Sequence, residues 1–304
     1  MKTTRKAVFA VFAMLVAVTF IVGGGSLGEY VNGVAAASTP SAGRYASVNG
    51  LKMYYEIHGT GRPLVLLHGA LCTIDGCFGK ILPSLAKTRR VIAIEQQAHG
   101  HTADIDRPMT TENMANDTVA LLRHLKIENA DFFGYSMGAG IALQIAIRHP
   151  KLVRKLVFMA AAYNLKGFHP GIVEGIRKLK PQDFEGSPWI EAYRKVAPNP
   201  DGWPGLLARV KQQVRSFFGF SPQAVRAMKA PTLIMIGDSD VIRPEHAVQM
   251  FRLLGGGVAG DITGLPRSQL AILPGTTHVT IVERPDWLVS MTTQFLDAPM
   301  PKAK

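Results

Sequence analysis

The chain has 304 residues, of which 47% are hydrophobic and 18% are charged, and its formal net charge is +12. This balance excludes an intrinsically disordered chain and allows one large core. The basic residues are scattered, without a long basic run or a basic stripe interleaved with aromatic residues. The positive charge therefore indicates a solvated surface, and no nucleic-acid partner is predicted.

The N-terminus has the pattern of a secretory leader. Residues 1–6 carry three positive charges, residues 7–22 are apolar except for Thr19, and Ala35-Ala36-Ala37 resembles a cleavage site before Ser38. The pattern predicts a Sec-type signal peptide over residues 1–37 and a secreted or cell-envelope protein. The alternative is an uncleaved membrane anchor, and only then would the leader contact a membrane. The apolar run is short for that role, because a spanning helix needs about 20 apolar residues.

Strands and helices alternate along the rest of the chain, residues 38–304. Strands are predicted at residues 44–48, 51–58, 63–67, 90–94, 130–133, 153–159, 232–236 and 269–273, and helices at residues 111–125, 138–149, 245–254 and 287–296. Asn49-Gly50 between the first two strands is typical of a two-residue hairpin turn. The alternation predicts an α/β domain with a doubly wound, mostly parallel sheet and helices on both faces.

The only two cysteines, Cys72 and Cys77, follow the third predicted strand. Export would permit a disulfide, and a loop could bring them within bridging distance, whereas a regular helix would hold them too far apart. The favoured expectation is two small buried thiols, with a bridge as the alternative. No cysteine spacing or His/Asp/Glu cluster is typical of a metal site, so no metal and no cofactor is predicted.

Residues 163–228 interrupt the alternation. This stretch contains seven prolines and several short amphipathic segments, and it is too long for an ordinary loop. It predicts a helical cap inserted between the sixth and seventh strands. Such an insertion lies over the carboxyl ends of the strands, where α/β proteins bind their ligands. Trp189 and Trp203 of the cap, together with Leu71, are therefore candidate substrate-binding residues.

The segment Gly134-Tyr135-Ser136-Met137-Gly138 is the strongest chemical signal in the sequence. It is a G-x-S-x-G motif that follows a predicted strand and begins a predicted helix, the context that a nucleophilic serine on a sharp turn requires. A glycine-rich helix start with a capping serine is the alternative reading. A serine hydroxyl is a weak nucleophile, so Ser136 needs a general base.

His278 is the predicted base. In strand–turn–helix nucleophile sites the acid and then the histidine follow the serine along the chain. His149 lies too near the nucleophile, and of the three histidines further downstream His169 precedes every candidate acid, while His246 lies at a helix start where a surface role suffices. His278 follows the last predicted strand and a turn, so it lies at the carboxyl end of that strand.

The acid is predicted in the loop after the seventh strand, where Asp238 and Asp240 both occur. Its carboxylate must accept a hydrogen bond from the imidazole and fix the tautomer. Asp240 lies further into the loop and is favoured, while Asp238 is expected to cap the turn.

Two backbone N–H groups are expected to form an oxyanion hole. One belongs to Met137, the residue after the nucleophile, and the other to the loop that begins His68-Gly69. Ala70 is the predicted donor in that loop, with Leu71 as the fallback, and His68 is interpreted as structural.

With these motifs, the chain resembles the α/β-hydrolase superfamily, most closely the small bacterial serine esterases of the non-haem haloperoxidase and arylesterase type. The matching residues are His68-Gly69, Gly134-Tyr135-Ser136-Met137-Gly138, Gly237 with Asp240 and Pro244, and Pro274-Gly275-Thr276-Thr277-His278. The resemblance implies an α/β-hydrolase fold and supports Asp240 over Asp238. The chain departs from the family where Glu95 and Gln97 replace the usual Asp and Arg, which leaves open the hydrogen bonding on the substrate side.

The predicted function is hydrolysis of a small-molecule carboxylic ester through an acyl-enzyme, with a Ser136-Asp240-His278 triad. A cap rich in aromatic residues favours apolar acyl groups. Lactonase, perhydrolase and carbon–carbon bond hydrolase activities stay open, because the same triad serves them all. A slow-turnover ligand-binding or signalling hydrolase is the alternative from a different class. The sequence does not predict the oligomeric state.

Overall fold

A computed structural model describes residues 43–300 of the chain, so the predicted signal peptide at residues 1–37 lies outside the described residues. The strands are β1 (Arg44–Val48), β2 (Leu51–His58), β3 (Arg62–Leu67), β4 (Arg89–Ile94), β5 (Ala130–Tyr135), β6 (Val153–Met159), β7 (Thr232–Gly237) and β8 (Gln269–Leu273). They form one sheet in the order β1-β2-β4-β3-β5-β6-β7-β8. The first two strand pairs are antiparallel and the other five are parallel. The predicted α/β fold with a mostly parallel sheet is confirmed.

Helices cover both faces of the sheet. They are α1 (Ile74–Phe78), α2 (Leu82–Leu85), α3 (Thr111–His124), α4 (Met137–Arg148), α5 (Ile172–Lys178), α6 (Pro188–Val196), α7 (Trp203–Ser216), α8 (Pro222–Arg226), α9 (Pro244–Leu253), α10 (Gly260–Thr263) and α11 (Pro285–Asp297). Successive side chains of a strand point to opposite faces. In β3, Val65 and Leu67 therefore belong to the buried cluster that also contains side chains of α3, α4 and α9, while Leu64 and Leu66 belong to the cluster with side chains of α1, α2 and α11.

The hairpin between β1 and β2 turns at Asn49-Gly50, as the sequence predicts. Asn49 and Gly50 both have a positive φ, 48° and 80°, which is the backbone that a two-residue turn needs. The start of α4 lies one residue before the expected boundary. This helix begins at Met137, directly after Ser136, because the chain reverses within a single residue.

The segment between β6 and β7 contains α5 to α8 and three short 3₁₀ helices. Its first part is tied to the loop after β7. Phe168 forms an antiparallel bridge with Ile242, and the Arg243 N–H donates to the Gly167 carbonyl at 2.8 Å. These contacts hold the cap beside the loop that carries Asp240. Within residues 43–300, every helix is too short or too polar to cross a bilayer.

Candidate active site

Ser136 occupies a strained turn between β5 and α4. Its φ and ψ are 54° and −115°, a conformation that non-glycine residues adopt only where the surroundings enforce it. The enforcement comes from close backbone packing. A Cβ at Gly138 would collide with the Leu67 carbonyl, and a Cβ at Gly134 would collide with the backbone of Ala139. Both glycines of the motif are therefore required by space, and the turn lifts the Ser136 side chain above the sheet.

Three side chains from three strand ends form a chain of hydrogen bonds. The Ser136 Oγ lies 3.0 Å from His278 Nε2, and His278 Nδ1 lies 2.8 Å from Asp240 Oδ1. Asp240 is 4% exposed, and its Oδ1 also accepts the Ile242 N–H at 3.0 Å. The carboxylate thus selects the tautomer with a proton on Nδ1, which leaves Nε2 free to accept the serine proton. The structure brings together the three residues that the sequence proposed for this role.

Asp238 serves a different part of the same region. Its carboxylate accepts the Gly275 N–H at 2.9 Å and the Thr276 N–H at 3.3 Å, and these bonds lower the pKa of the Asp238 carboxyl, with Gly275 as the main cause. Asp238 therefore holds the turn that precedes His278 and does not contact the imidazole. This is the turn-capping role that its position in the sequence indicated.

Tyr135 is a supporting residue that the sequence reasoning missed. Its hydroxyl donates to the His278 carbonyl at 2.8 Å, and its ring lies 5.6 Å from the imidazole centroid. Burial is the main reason that the pKa of the Tyr135 hydroxyl is raised, and the charge of Asp240 adds to it. The hydroxyl therefore remains a donor, and it fixes the backbone of the loop that carries His278.

Two backbone N–H groups are free beside Ser136. Met137 is the first residue of α4, so its N–H has no partner inside the helix. The Ala70 N–H has no acceptor among the described residues, and Gly69 packs so closely that an added Cβ would lie 3.4 Å from the Ser136 Cβ. The Leu71 N–H is not free, because it donates to His99 Nε2 at 3.2 Å. The geometry favours Ala70 and Met137 and argues against the Leu71 amide as the fallback donor.

Comparison with known proteins finds several that are similar to most of this chain. A family model described as the α/β hydrolase fold matches residues 62–204. The 2-hydroxymuconate semialdehyde hydrolase of Pseudomonas sp. (strain CF600) is 28% identical over 85% of this chain and 95% of its own. A non-heme haloperoxidase of Rhodococcus erythropolis is 24% identical over 82% of this chain and 97% of its own. The enol-lactonase from Burkholderia xenovorans LB400 has a TM-score of 0.64 at 21% identity, covering 84% of this chain and 100% of its own. The chain has the α/β-hydrolase fold and is similar to hydrolases over most of its length.

A cavity of about 1230 Å³ opens above Ser136 and His278 of this hydrolase. Its wall includes the oxyanion loop, which we define as residues 69–72, and the side chains of α5 and α7. Ala160-Ala161-Ala162 after β6 form part of the wall with small side chains. Three charged side chains line the cavity, Glu174, Lys178 and Asp183, and all three are exposed to solvent. The wall of the cavity is therefore predominantly apolar.

The two candidate tryptophans of the cap have different environments. Trp189 lines the cavity, as does Leu71. Trp203 is absent from the cavity wall, contrary to the prediction, because it is 2% exposed and packs inside the cap. Its ring lies 5.3 Å from that of Phe184 and 5.6 Å from that of Tyr193, both edge to face. Sequence alone did not separate the two, since both lie among short amphipathic helices.

Glu95 and Gln97, which replace the usual family residues, do not line the cavity. The buried Glu95 carboxylate accepts the N–H groups of Ile74 and His101, at 3.2 and 2.6 Å. The Gln97 side chain lies within the loop that follows β4 and bonds to Arg107 at 2.9 Å. The departure from the family therefore concerns the structure of this loop, and these two side chains make no direct contact with the cavity.

Cys72 and Cys77 form a disulfide, so the expectation of two free thiols is wrong. Cys72 precedes the helix cap Thr73 and Cys77 lies inside α1, so the two are not on one regular helix and their Cα atoms are 6.2 Å apart. Both cysteines line the cavity, and the Gly69 N–H lies 3.4 Å from the Cys77 sulfur. The disulfide therefore braces the oxyanion loop.

Removing this disulfide is expected to destabilise the hydrolase. A loop this short restricts the unfolded chain modestly, so Cys72→Ser/Cys77→Ser is expected to lower the free energy of unfolding by about 2 kcal/mol. Denaturant titration of the variant and the wild type, each with and without dithiothreitol, measures the loss. The reductant should destabilise the wild type and leave the double variant unchanged. A wild type that is insensitive to the reductant would contradict the bridge.

Within residues 43–300, no group of three or more His, Cys, Asp or Glu side chains is placed to hold a metal ion.

Proposed function

We propose that this protein is a serine esterase that hydrolyses carboxylic esters with apolar acyl groups through an acyl-enzyme on Ser136. One observation carries the proposal: the Ser136–His278–Asp240 hydrogen-bond chain faces a large cavity with a mostly apolar wall. These hydrogen bonds activate Ser136 as a nucleophile, and the cavity supplies binding energy for an apolar substrate.

The geometry accommodates each step of acyl transfer. The Ser136 Oγ attacks the ester carbonyl while His278 Nε2 takes its proton, and Asp240 stabilises the imidazolium that forms. The N–H groups of Ala70 and Met137 donate to the oxyanion of the tetrahedral intermediate. His278 then returns the proton to the leaving alcohol. A water molecule, deprotonated by the same imidazole, releases the acid and regenerates Ser136.

The apolar wall leads to an expected order of substrates. Each methylene that the cavity accepts gains about 0.8 kcal/mol of binding. We expect kcat/KM for p-nitrophenyl esters to rise from acetate to butyrate or beyond and to fall when the chain exceeds the cavity. Steady-state rates on a series from acetate to decanoate measure the profile. A rate that is highest on acetate and falls steadily would contradict the proposed acyl specificity.

Trp189→Ala and Trp203→Ala form a matched pair for the same profile. Trp189 lines the cavity, so its removal is expected to shift the optimum to longer acyl groups while activity on acetate persists. Trp203 is buried, and its removal is expected to cost about 3–5 kcal/mol of stability. The optimum of any folded Trp203→Ala enzyme should stay in place. An unchanged profile in Trp189→Ala would show that this wall does not set the chain length.

Carbon–carbon bond hydrolysis is the second candidate, favoured by the 2-hydroxymuconate semialdehyde hydrolase among the relatives. The substrate in that name carries a carboxylate. Among the described residues of the cavity wall, Lys178 is the one Lys or Arg side chain, and it is exposed. An apolar wall with no buried cation fits an uncharged acyl group better.

Assay of 2-hydroxymuconate semialdehyde beside the ester series decides between ester hydrolysis and carbon–carbon bond hydrolysis. Lactones and peracid formation belong in the same panel, and inactivity on every substrate would favour a ligand-binding role.

Export is proposed as well. The leader pattern of residues 1–37 supports it, and so does the Cys72–Cys77 bridge, because disulfides persist in oxidising compartments. We expect the exported protein to begin near Ser38. Intact mass of material from the culture medium and the cell envelope measures this. A full-length product in the membrane fraction would support the anchor instead.

A further inference from the structure

The oxyanion loop contains a strained residue next to the expected donor. Leu71 has a φ of 60°, in the left-handed region that branched side chains avoid at a cost of about 1–2 kcal/mol. Its N–H donates to His99 Nε2 at 3.2 Å. Leu71 directly follows Ala70, so the conformation of Leu71 helps to determine where the Ala70 N–H points. The hydrogen bond to His99 ties this strained segment to the loop after β4.

His99 is built to act as an acceptor. Its Nδ1 lies 2.9 Å from the Gln97 carbonyl, which can only accept, so Nδ1 carries the proton and Nε2 has a free lone pair. The ring is fully buried, and this burial, together with the neighbouring His68, lowers the pKa of His99 to about 3. His99 therefore stays neutral, and its Nε2 remains an acceptor throughout the working range of an esterase.

The backbone of the loop that carries His99 holds the imidazole in place to accept the Leu71 N–H. Ala98 has a φ of 65° and Gly100 a φ of 51°, so the chain reverses around His99. A side chain at Gly100 would collide with the Glu95 carboxylate, which itself holds the N–H of Ile74 at the start of α1. The backbone around His99 is therefore fixed on both sides. None of these contacts involves the substrate cavity, and His99 is not part of its wall.

We propose that His99 is a positioning residue for the oxyanion hole: by holding the Leu71 N–H, it fixes the direction of the Ala70 N–H. This inference rests on the proposed esterase function. His99 touches no substrate and moves no proton. Its contribution is made in the transition state, because the oxyanion forms only there. Small displacements of a catalytic donor carry large penalties, so the loss of the His99 acceptor lowers kcat and leaves KM almost unchanged.

Two substitutions test whether the Nε2 acceptor of His99, and not the rest of the imidazole ring, positions Leu71. In His99→Asn, the side-chain amide can reach the Gln97 carbonyl but is too short for Leu71. In His99→Gln, the amide oxygen can reach the position of Nε2. His99→Asn is expected to lower kcat by about 10- to 100-fold with KM within threefold, while His99→Gln retains most of the activity. His101→Phe is the matched control, because His101 lies in the same loop, stacks on Tyr54 and does not contact Leu71.

Each rate is divided by the concentration of active sites, which is measured by titration to completion with a fluorophosphonate. This normalisation corrects for misfolded protein. A second measurement compares a trifluoromethyl ketone, whose adduct carries the oxyanion, with the corresponding methyl ketone. In His99→Asn the affinity for the trifluoromethyl ketone should fall by the same factor as kcat/KM, and that for the methyl ketone should not change. Equal activity of His99→Asn and the wild type, or equal impairment of His99→Asn and His99→Gln, would overturn the inference. A wild type without Ser136-dependent esterase activity would instead remove the proposed function.

Discussion

Replacement of Ser136 by alanine is expected to abolish ester hydrolysis while the fold persists. Loss of one member of a serine triad typically lowers kcat by about 10⁴-fold or more. The Ser136 Oγ is the atom that faces His278 Nε2, and its backbone is held by the packing of Gly134 and Gly138 against their neighbours, which the substitution leaves in place. Steady-state rates on a butyrate ester, with the melting temperature of each variant, measure the effect.

Ser239→Ala is the matched control for Ser136→Ala. Ser239 is the other serine among the described residues of the cavity wall, and its backbone N–H, which the substitution keeps, donates to the Thr276 carbonyl at 3.0 Å. We expect this variant to stay within a few-fold of the wild type. If Ser136→Ala kept more than a tenth of the wild-type kcat, Ser136 would not be the nucleophile.

The second large effect is expected from Asp240→Asn. An amide in place of the carboxylate no longer selects the Nδ1–H tautomer of His278, and the corresponding change in a serine protease lowers kcat by about 10⁴-fold. Asp238→Asn tests the neighbouring carboxylate. Asp238 accepts N–H groups of Gly275 and Thr276, a role that an amide oxygen can take over in part. We expect Asp238→Asn to lower kcat by less than about tenfold, since the His278 loop is also held by Tyr135.

The kinetic constants of the two aspartate variants can either support or contradict the assignment of Asp240 as the acid. KM should change little in Asp240→Asn, because Asp240 lies behind the imidazole and away from the cavity wall. A larger loss in Asp238→Asn than in Asp240→Asn would mean that the acid is assigned to the wrong carboxylate. Melting temperatures of both variants show whether any loss comes from unfolding.

The mostly parallel character of the sheet and the three catalytic side chains could be predicted from local sequence patterns. Buried parallel strands appear as short apolar runs, and the residues that follow such strands meet at one edge of the sheet. The same pattern predicts that Ser136, Asp240 and His278 lie close together. It needs only the position of each residue relative to a strand end.

Side-chain burial in the cap and in the oxyanion loop could not be predicted in the same way. Trp189 and Trp203 have similar sequence surroundings, and only the packing of the cap directs one to the cavity and the other to the interior. His99 and Leu71 are 28 residues apart in sequence, and their hydrogen bond exists because β3 and β4 are neighbours. The Cys72–Cys77 bridge depends on where α1 begins, and helix ends are the least certain feature of a sequence pattern.

Mapping the covalent adduct of a fluorophosphonate tests the central claim most directly. The intact wild-type protein is labelled, digested and sequenced by mass spectrometry, with Ser136→Ala treated in parallel. We expect stoichiometric labelling of the wild type at Ser136, loss of ester hydrolysis in proportion to labelling, and no labelling of Ser136→Ala. An adduct on another residue, or full hydrolytic activity in a protein that is not labelled, would contradict the proposed acyl-enzyme on Ser136.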